Sequence, residues 1–266
     1  MLHGTKEFSD KYFILEIPRI HDIQHQNGLK EIPYELLLLV DVFIYQKVSK
    51  NNDFGEKLSS DYIIDKLRVD CKKICITNPW FYGYYPQSYL HDDKNDKNVC
   101  YDENRYGLFP YKDYYIEKCY KKGNIDSAIQ ALSVGEQGLQ YEVIPNLVKS
   151  FEIIENQELN CDIKIIDYIK SEYRKKRLFY TLNHPINEVL KVIAYRICIY
   201  LDLVVAEVAD TAMSLEGFDQ AIYPFVKEIL NLEFSNNFFY SNKAIEENAM
   251  VWSDYVRMYI NKCLEK

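Results

Sequence analysis

The stretch VDVFIYQKVSKNNDFGEKLSSDYIIDKLRVDCKKICIT, residues 40–77, carries the fold signal most plainly. Its two ends, VDVFIY (40–45) and KICIT (73–77), are short β-branched and aromatic runs with the profile of buried strands. Asn78-Pro79 closes the second run. Between them Ser59-Ser60-Asp61 opens a helix, and Tyr62, Ile63 and Leu67 are spaced for one apolar face. Strand, helix, strand predicts a parallel pair with a helical crossover, hence an α/β chain.

Working outward, YFILEI (12–17), ended by Pro18, reads as another buried strand. The polar stretch within residues 89–106, containing His91-Asp92-Asp93, reads as an exposed loop. Helical patterns follow at 111–121, at 124–133 with Asn124 as N-cap, at 141–157 and at 161–173. LFYTL (178–182) is a fourth strand, and Pro185 fits the first turn of a helix reaching about Leu203. The last third reads as helical, interrupted near residues 235–237. No tandem repeat, low-complexity tract or linker divides the chain. Residues 1–266 are expected to form one helix-rich α/β domain, strand-rich over 1–110 and mostly helical over 111–266.

The chain has 266 residues, 48% of them hydrophobic and 27% charged, enough for one large core or two smaller ones and too apolar for disorder. Its longest apolar runs, 36–40 and 197–201, are far shorter than the ~18 residues of a membrane span. Residues 1–11 carry no signal pattern, so the chain reads as cytoplasmic. A net charge of −8 argues against nucleic acid as a partner. The seven cysteines are scattered, without C-x-x-C or zinc spacing, which predicts reduced thiols and no metal. The enrichment in Tyr, Ile, Asn and Lys looks like codon bias, so the abundance of tyrosine carries no functional weight.

Three constellations lie just past predicted strands, where open parallel sheets bind their ligands. They are Gln46 with Ser49, the block Asn78-Pro79-Trp80-Phe81-Tyr82-Gly83-Tyr84-Tyr85-Pro86, and Asn183-His184-Pro185. His184 at a strand-to-helix junction either serves as a general base or caps the helix and packs on an aromatic ring. Asn78 either donates to a developing oxyanion or is a turn asparagine before proline. Gln46 either orients a substrate or is a surface glutamine. Arg174-Lys175-Lys176-Arg177 either meets the phosphates of a cofactor or is a solvated helix end. The aromatic block Trp80–Tyr85 either lines a sugar or adenine pocket or is core. His3, His21, His25 and His91 sit in polar segments and receive no role.

Taken in order, DVFIYQKVS (41–49), NPWFYGYYPQ (78–87) and RLFYTLNHPINEVL (177–190) resemble the WcbI family of capsular polysaccharide biosynthesis proteins, over about residues 12–203. The resemblance implies a helix-rich relative of the SGNH/GDSL hydrolase fold, with a small parallel sheet flanked by helices. It implies coenzyme A or acetyl-CoA as co-substrate and transfer of an acetyl group to a sugar hydroxyl of a surface polysaccharide. On that reading His184 and Asn78 are catalytic. Gln46, Tyr82, Gly83, Tyr84, Tyr85, Asn183 and the run Arg174, Lys175, Lys176, Arg177 bind substrate or cofactor. A GDSL-like esterase and a catalytically inactive CoA- or glycan-binding protein are the alternatives.

Two departures accompany the resemblance. The family's first strand, leading into an Asn-Cys-Gln motif, has no counterpart, and residues 1–10 look like the tail of the helix that follows it. SGNH enzymes also place an Asp three residues before the histidine, where this chain has Thr181. With the first strand missing, segments 12–17 and 40–45 are expected to flank a slot roughly 10 Å wide, to pair directly, or to have residues 1–10 between them.

Overall fold

The computed structural model describes residues 1–15, 34–51, 56–89, 111–121, 124–208, 218–234, 239–242 and 250–265. Its helices are α1 (Lys6–Ser9), α2 (Tyr34–Leu37), α3 (Ser60–Ile64), α4 (Tyr114–Tyr120), α5 (Ile125–Val134), α6 (Gln140–Glu158), α7 (Ile166–Glu172), α8 (Asn187–Tyr200), α9 (Pro224–Leu230) and α10 (Trp252–Tyr259). Its strands are β1 (Val42–Gln46), β2 (Lys72–Ile76), β3 (Ser88–Tyr89), β4 (Lys112–Asp113), β5 (Phe179–Thr181), β6 (His184–Pro185), β7 (Phe218–Asp219), β8 (Phe239–Asn242) and β9 (Met250–Val251). The chain divides into two compact units, neither contiguous in sequence. Among the described residues no helix is long and apolar enough to cross a membrane.

The first unit comprises Met1–Asn78, Ile154–Asp167 and Val189–Thr211. As the pattern of residues 40–77 predicts, β1 and β2 pair in parallel, in register from Val42↔Lys72 to Gln46↔Ile76. Ser59 caps α3 by accepting from the Tyr62 amide, and Ser60 Oγ bridges Val48 N and the Gln46 carbonyl. Leu37, Phe43, Leu67 and Cys71 form the buried cluster under this crossover. An isolated parallel bridge, Ile76↔Ile163, extends the pair on its other side. That bridge explains why α7 begins at Ile166 and not at Cys161: residues 162 and 163 spend their amides on the Cys75 carbonyl. The Glu158 carboxylate then takes the amides of Ile165 and Ile166 and so marks the new helix start.

Residues 12–15 are not the expected strand. Tyr12 N bonds back to the Phe8 carbonyl, continuing the helical turn, and Phe13 is 94% exposed, so no ladder or apolar floor receives the segment. Residues 16–17 lie outside the described residues, as does most of the 89–106 loop. Among the described residues β1 pairs with β2, and no pairing joins it to residues 12–15.

The second unit comprises Pro79–Ile153, Tyr168–Glu188 and Ala212–Lys266. Asn124 caps α5 as read, its side chain accepting from Ser127 N, and Gly135 ends that helix with φ +71°. The last third departs from the helical expectation, since β7, β8 and β9 form an antiparallel sheet; residues 235–238 lie outside the described residues. Strand β5 also differs: it belongs to no parallel sheet but folds back antiparallel on β6. Pro185 therefore sits in a strand opposite Phe179, and helix α8 starts two residues later. Proline is tolerated there because the amide of Ile186, not residue 185, returns to the Leu178 carbonyl at 2.9 Å.

Candidate functional site

The β5–β6 hairpin brings Asn183 and His184 within hydrogen-bond reach of Thr181. Thr181 Oγ1 is 2.8 Å from His184 Nδ1 and donates to Asn183 Oδ1 at 3.1 Å. Tyr111, arriving from the start of the β4–α4 segment, donates to the same Oδ1 at 2.5 Å. These bonds are compatible with two proton orders, set by the imidazole tautomer. A hydroxyl has one proton; once Thr181 gives it to Asn183, its oxygen can only accept from Nδ1–H of the imidazole. That tautomer places the basic lone pair of His184 on Nε2. His184 and Asn183 are both half-buried, whereas Thr181 is fully enclosed.

The floor beneath the hairpin is aromatic. Phe81 stacks on Phe179 with centroids 5.1 Å apart and meets Tyr84 edge-on at 4.8 Å. The Phe81 amide donates to the Leu182 carbonyl at the hairpin turn. Gly83 is required there: a Cβ would lie 2.5 Å from Phe81 Cζ and 2.8 Å from Leu147 Cδ1. Tyr84 and Tyr85 are wholly buried, and their hydroxyls bond the carbonyls of Tyr173 and Phe179 at 2.5 and 2.8 Å. Tyr84, Tyr85 and Gly83 are thus core that sets the hairpin's position and offer no open pocket wall. Tyr82 differs: its amide is held by Ser150 Oγ, and its ring is half-buried. Burial pushes the Tyr82 phenol up. Burial also raises Tyr111, outweighing its bonds to Thr181 and Asn183, with Tyr82 adding a smaller push. Both phenols remain protonated at neutral pH and can donate.

The basic run is largely neutralised within the unit. Arg177 pairs with Asp219 and donates to the Tyr85 hydroxyl and the Gln220 carbonyl. Burial would lower its guanidinium, but Tyr85 and Asp219 more than offset this and hold it protonated. Lys176 bonds Glu188 and lies near Glu172, and Lys175 bonds Glu172. Arg174 lies over the Tyr173 ring. Arg174 and Lys175 are the exposed members. Gln46 and Asn78 belong to the first unit, exposed at the ends of β1 and just beyond β2, so the hairpin does not include them. Residue types alone missed Tyr111 and Thr181. The three-residue spacing from Thr181 to His184 was a usable signal, while Tyr111 had none.

Among the described residues no group of three or more His, Cys, Asp or Glu side chains could hold a metal. No curated protein matches the chain. A solved structure of WcbI, described as a novel polysaccharide biosynthesis enzyme in a native form without a disulfide bond between coenzyme A and one of its cysteines, is similar. It is 18% identical, with a TM-score of 0.77, and the match covers 100% of this chain and 85% of that one. The profile of the family described as polysaccharide biosynthesis enzyme WcbI matches residues 1–204, which include the paired strands of the first unit and the whole Thr181–His184 hairpin. The chain belongs to the WcbI family of polysaccharide biosynthesis enzymes.

Proposed function

We propose that this chain is a coenzyme A-dependent O-acetyltransferase that acetylates a sugar hydroxyl for capsular or other surface polysaccharide in the cytoplasm. The observation that carries the reading is the Thr181–His184 bond at 2.8 Å; in the tautomer that turns Nδ1–H to Thr181, Nε2 is the base. Nε2 takes the proton of the acceptor hydroxyl as its oxygen attacks the thioester carbonyl. The imidazolium then returns that proton to the departing CoA sulfur, so no enzyme nucleophile is needed. Asn183 supplies the oxyanion donor. Its Oδ1 accepts from two hydroxyls, which fixes the amide plane and strengthens its N–H groups as donors. One such donor is commonly worth about 3 kcal/mol.

The half-buried Tyr82 ring supplies a stacking face for the sugar or adenine. Arg174 is the cation placed to meet CoA phosphates, because Lys175, Lys176 and Arg177 are paired with carboxylates. The fused reading of family and hairpin is tested by acetyl-CoA turnover with polysaccharide acceptors. His184→Ala is expected to lose at least about a hundredfold in kcat. Full activity in that variant would remove His184 from the mechanism. Acceptor-free hydrolysis of aryl acetates would favour the esterase, and CoA binding without turnover the inactive binding protein.

A further inference from the structure

Outside the hairpin, two cysteine thiols face each other in the first unit, near the C-terminal end of β2. Cys75 Sγ and Cys161 Sγ are 3.6 Å apart although 86 positions separate them in sequence. Their backbones are already side by side. The amides of Asp162 and Ile163 donate to the Cys75 carbonyl at 2.9 and 3.0 Å, and the Asp162 carboxylate accepts from Cys75 N at 2.8 Å. The bridge Ile76↔Ile163 sets Cys75 opposite Asp162, one residue from Cys161. A strand spacing of about 4.8 Å and a rise of about 3.3 Å then put the two cysteine Cα atoms about 6 Å apart, inside the range of about 4.4–6.8 Å that a disulfide spans. Closing the sulfurs to about 2.05 Å is therefore a matter of side-chain rotation. Cys75 is 3% exposed, while Cys161 is partly exposed and donates to the Gln157 carbonyl. Neither thiol takes part in the acetyl-transfer reading above.

We propose that Cys75 and Cys161 are a dithiol site that closes into a reversible intramolecular disulfide, with the disulfide of a small thiol as oxidant. Cys161, the more accessible, attacks one sulfur of the small disulfide as its thiolate and expels one small thiol, leaving a mixed disulfide. Cys75 then attacks the Cys161 sulfur and expels the second small thiol. Two protein thiols lose two protons and two electrons, and one small disulfide becomes two thiols. Burial, with the adjacent Cys75, pushes the Cys161 thiol up, so exchange is slow at neutral pH and quickens as pH rises. The bond encloses residues 79–153, the first excursion of the chain into the second unit. It pins the point where the chain leaves the first unit to the point where it returns.

Trypsin leaves each cysteine alone on its own peptide, 74–94 and 150–164, so the linkage can be read without ambiguity. The full chain is incubated with glutathione disulfide at about pH 8.5, alkylated and digested. The expected product is the 74–94/150–164 pair, two hydrogens lighter than the sum of the reduced peptides and lost on treatment with dithiothreitol. The oxidised chain should also melt at a higher temperature than the reduced one. Recovery of both peptides alkylated, or each carrying its own glutathione, would overturn the proposal. So would a spread of cross-links over all cysteines matching that of the urea-unfolded chain. Cys161→Ser should leave Cys75 unlinked, and if that variant fails to fold the wild-type peptide map alone decides.

Discussion

In the proposed mechanism Thr181 does for His184, without charge, what a carboxylate does in many histidine-based sites: it receives Nδ1–H and so selects the tautomer. Thr181→Val keeps the volume and removes the acceptor. It should cost about tenfold in kcat, the worth of one hydrogen bond, with the KM for acetyl-CoA unchanged. Thr181→Ser should restore the rate, which a purely structural role for the methyl group would not. Gly83→Ala tests the aromatic floor instead. Its Cβ would overlap a Phe81 ring that has no exposure and no room to turn, so a loss of about 1–3 kcal/mol in urea unfolding is expected. His184 stood out in the sequence as a histidine before proline just past a predicted strand, and the structure sets it beside Thr181. Tyr111 was not, because its role depends on a contact 72 residues away in sequence that no local pattern encodes.

The β5–β6 hairpin holds its place through Arg177, whose Nε donates to the Phe179 carbonyl while its other nitrogens reach Asp219, Tyr85 and Gln220. Arg177→Met strands the Asp219 carboxylate at a position only a quarter exposed. A loss of about 3 kcal/mol is expected by chemical denaturation. Adding Asp219→Leu should recover much of it, since a charge would no longer be left unpaired. At this scale the sequence was readable where capping chemistry and apolar period agree, as at Ser59 and Asn124. It misled where the partner decides. Strands of two residues such as β6, β7 and β9 have no period to detect, and their pairing comes from distant segments. The basic run shows the same limit, because its sequence displays four positive charges and hides the carboxylates that meet three of them.

Over the whole molecule, the buried Asp113 gives stability a distinct pH dependence. Its carboxyl caps α4 through Ile116 N and accepts from the Tyr223 hydroxyl. Burial nonetheless pushes it up from the ordinary 3.8 to about 7, with the nearby Glu117 adding to the rise. Between about pH 4 and 7 the folded chain holds a proton that the unfolded chain has lost. The contribution of this group is therefore greatest below about pH 4 and declines as pH rises through 7. Urea midpoints taken at about pH 5, 6 and 7 should fall in that order, and Asp113→Asn should flatten the trend. An unchanged slope in the variant would show that another group sets the dependence.

The six alternating segments of the two units have a consequence for inheritance as well as for structure. Three of the five crossings fall inside the helices α6, α7 and α8, where no linker exists to be cut. No single break in the gene yields either unit whole, and no single fusion point could lend one of them to another protein. Recombination must carry both or lose both. The residues around His184 therefore cannot be shuffled as a cassette, and new specificities in such a chain have to arise by point changes within an undivided reading frame.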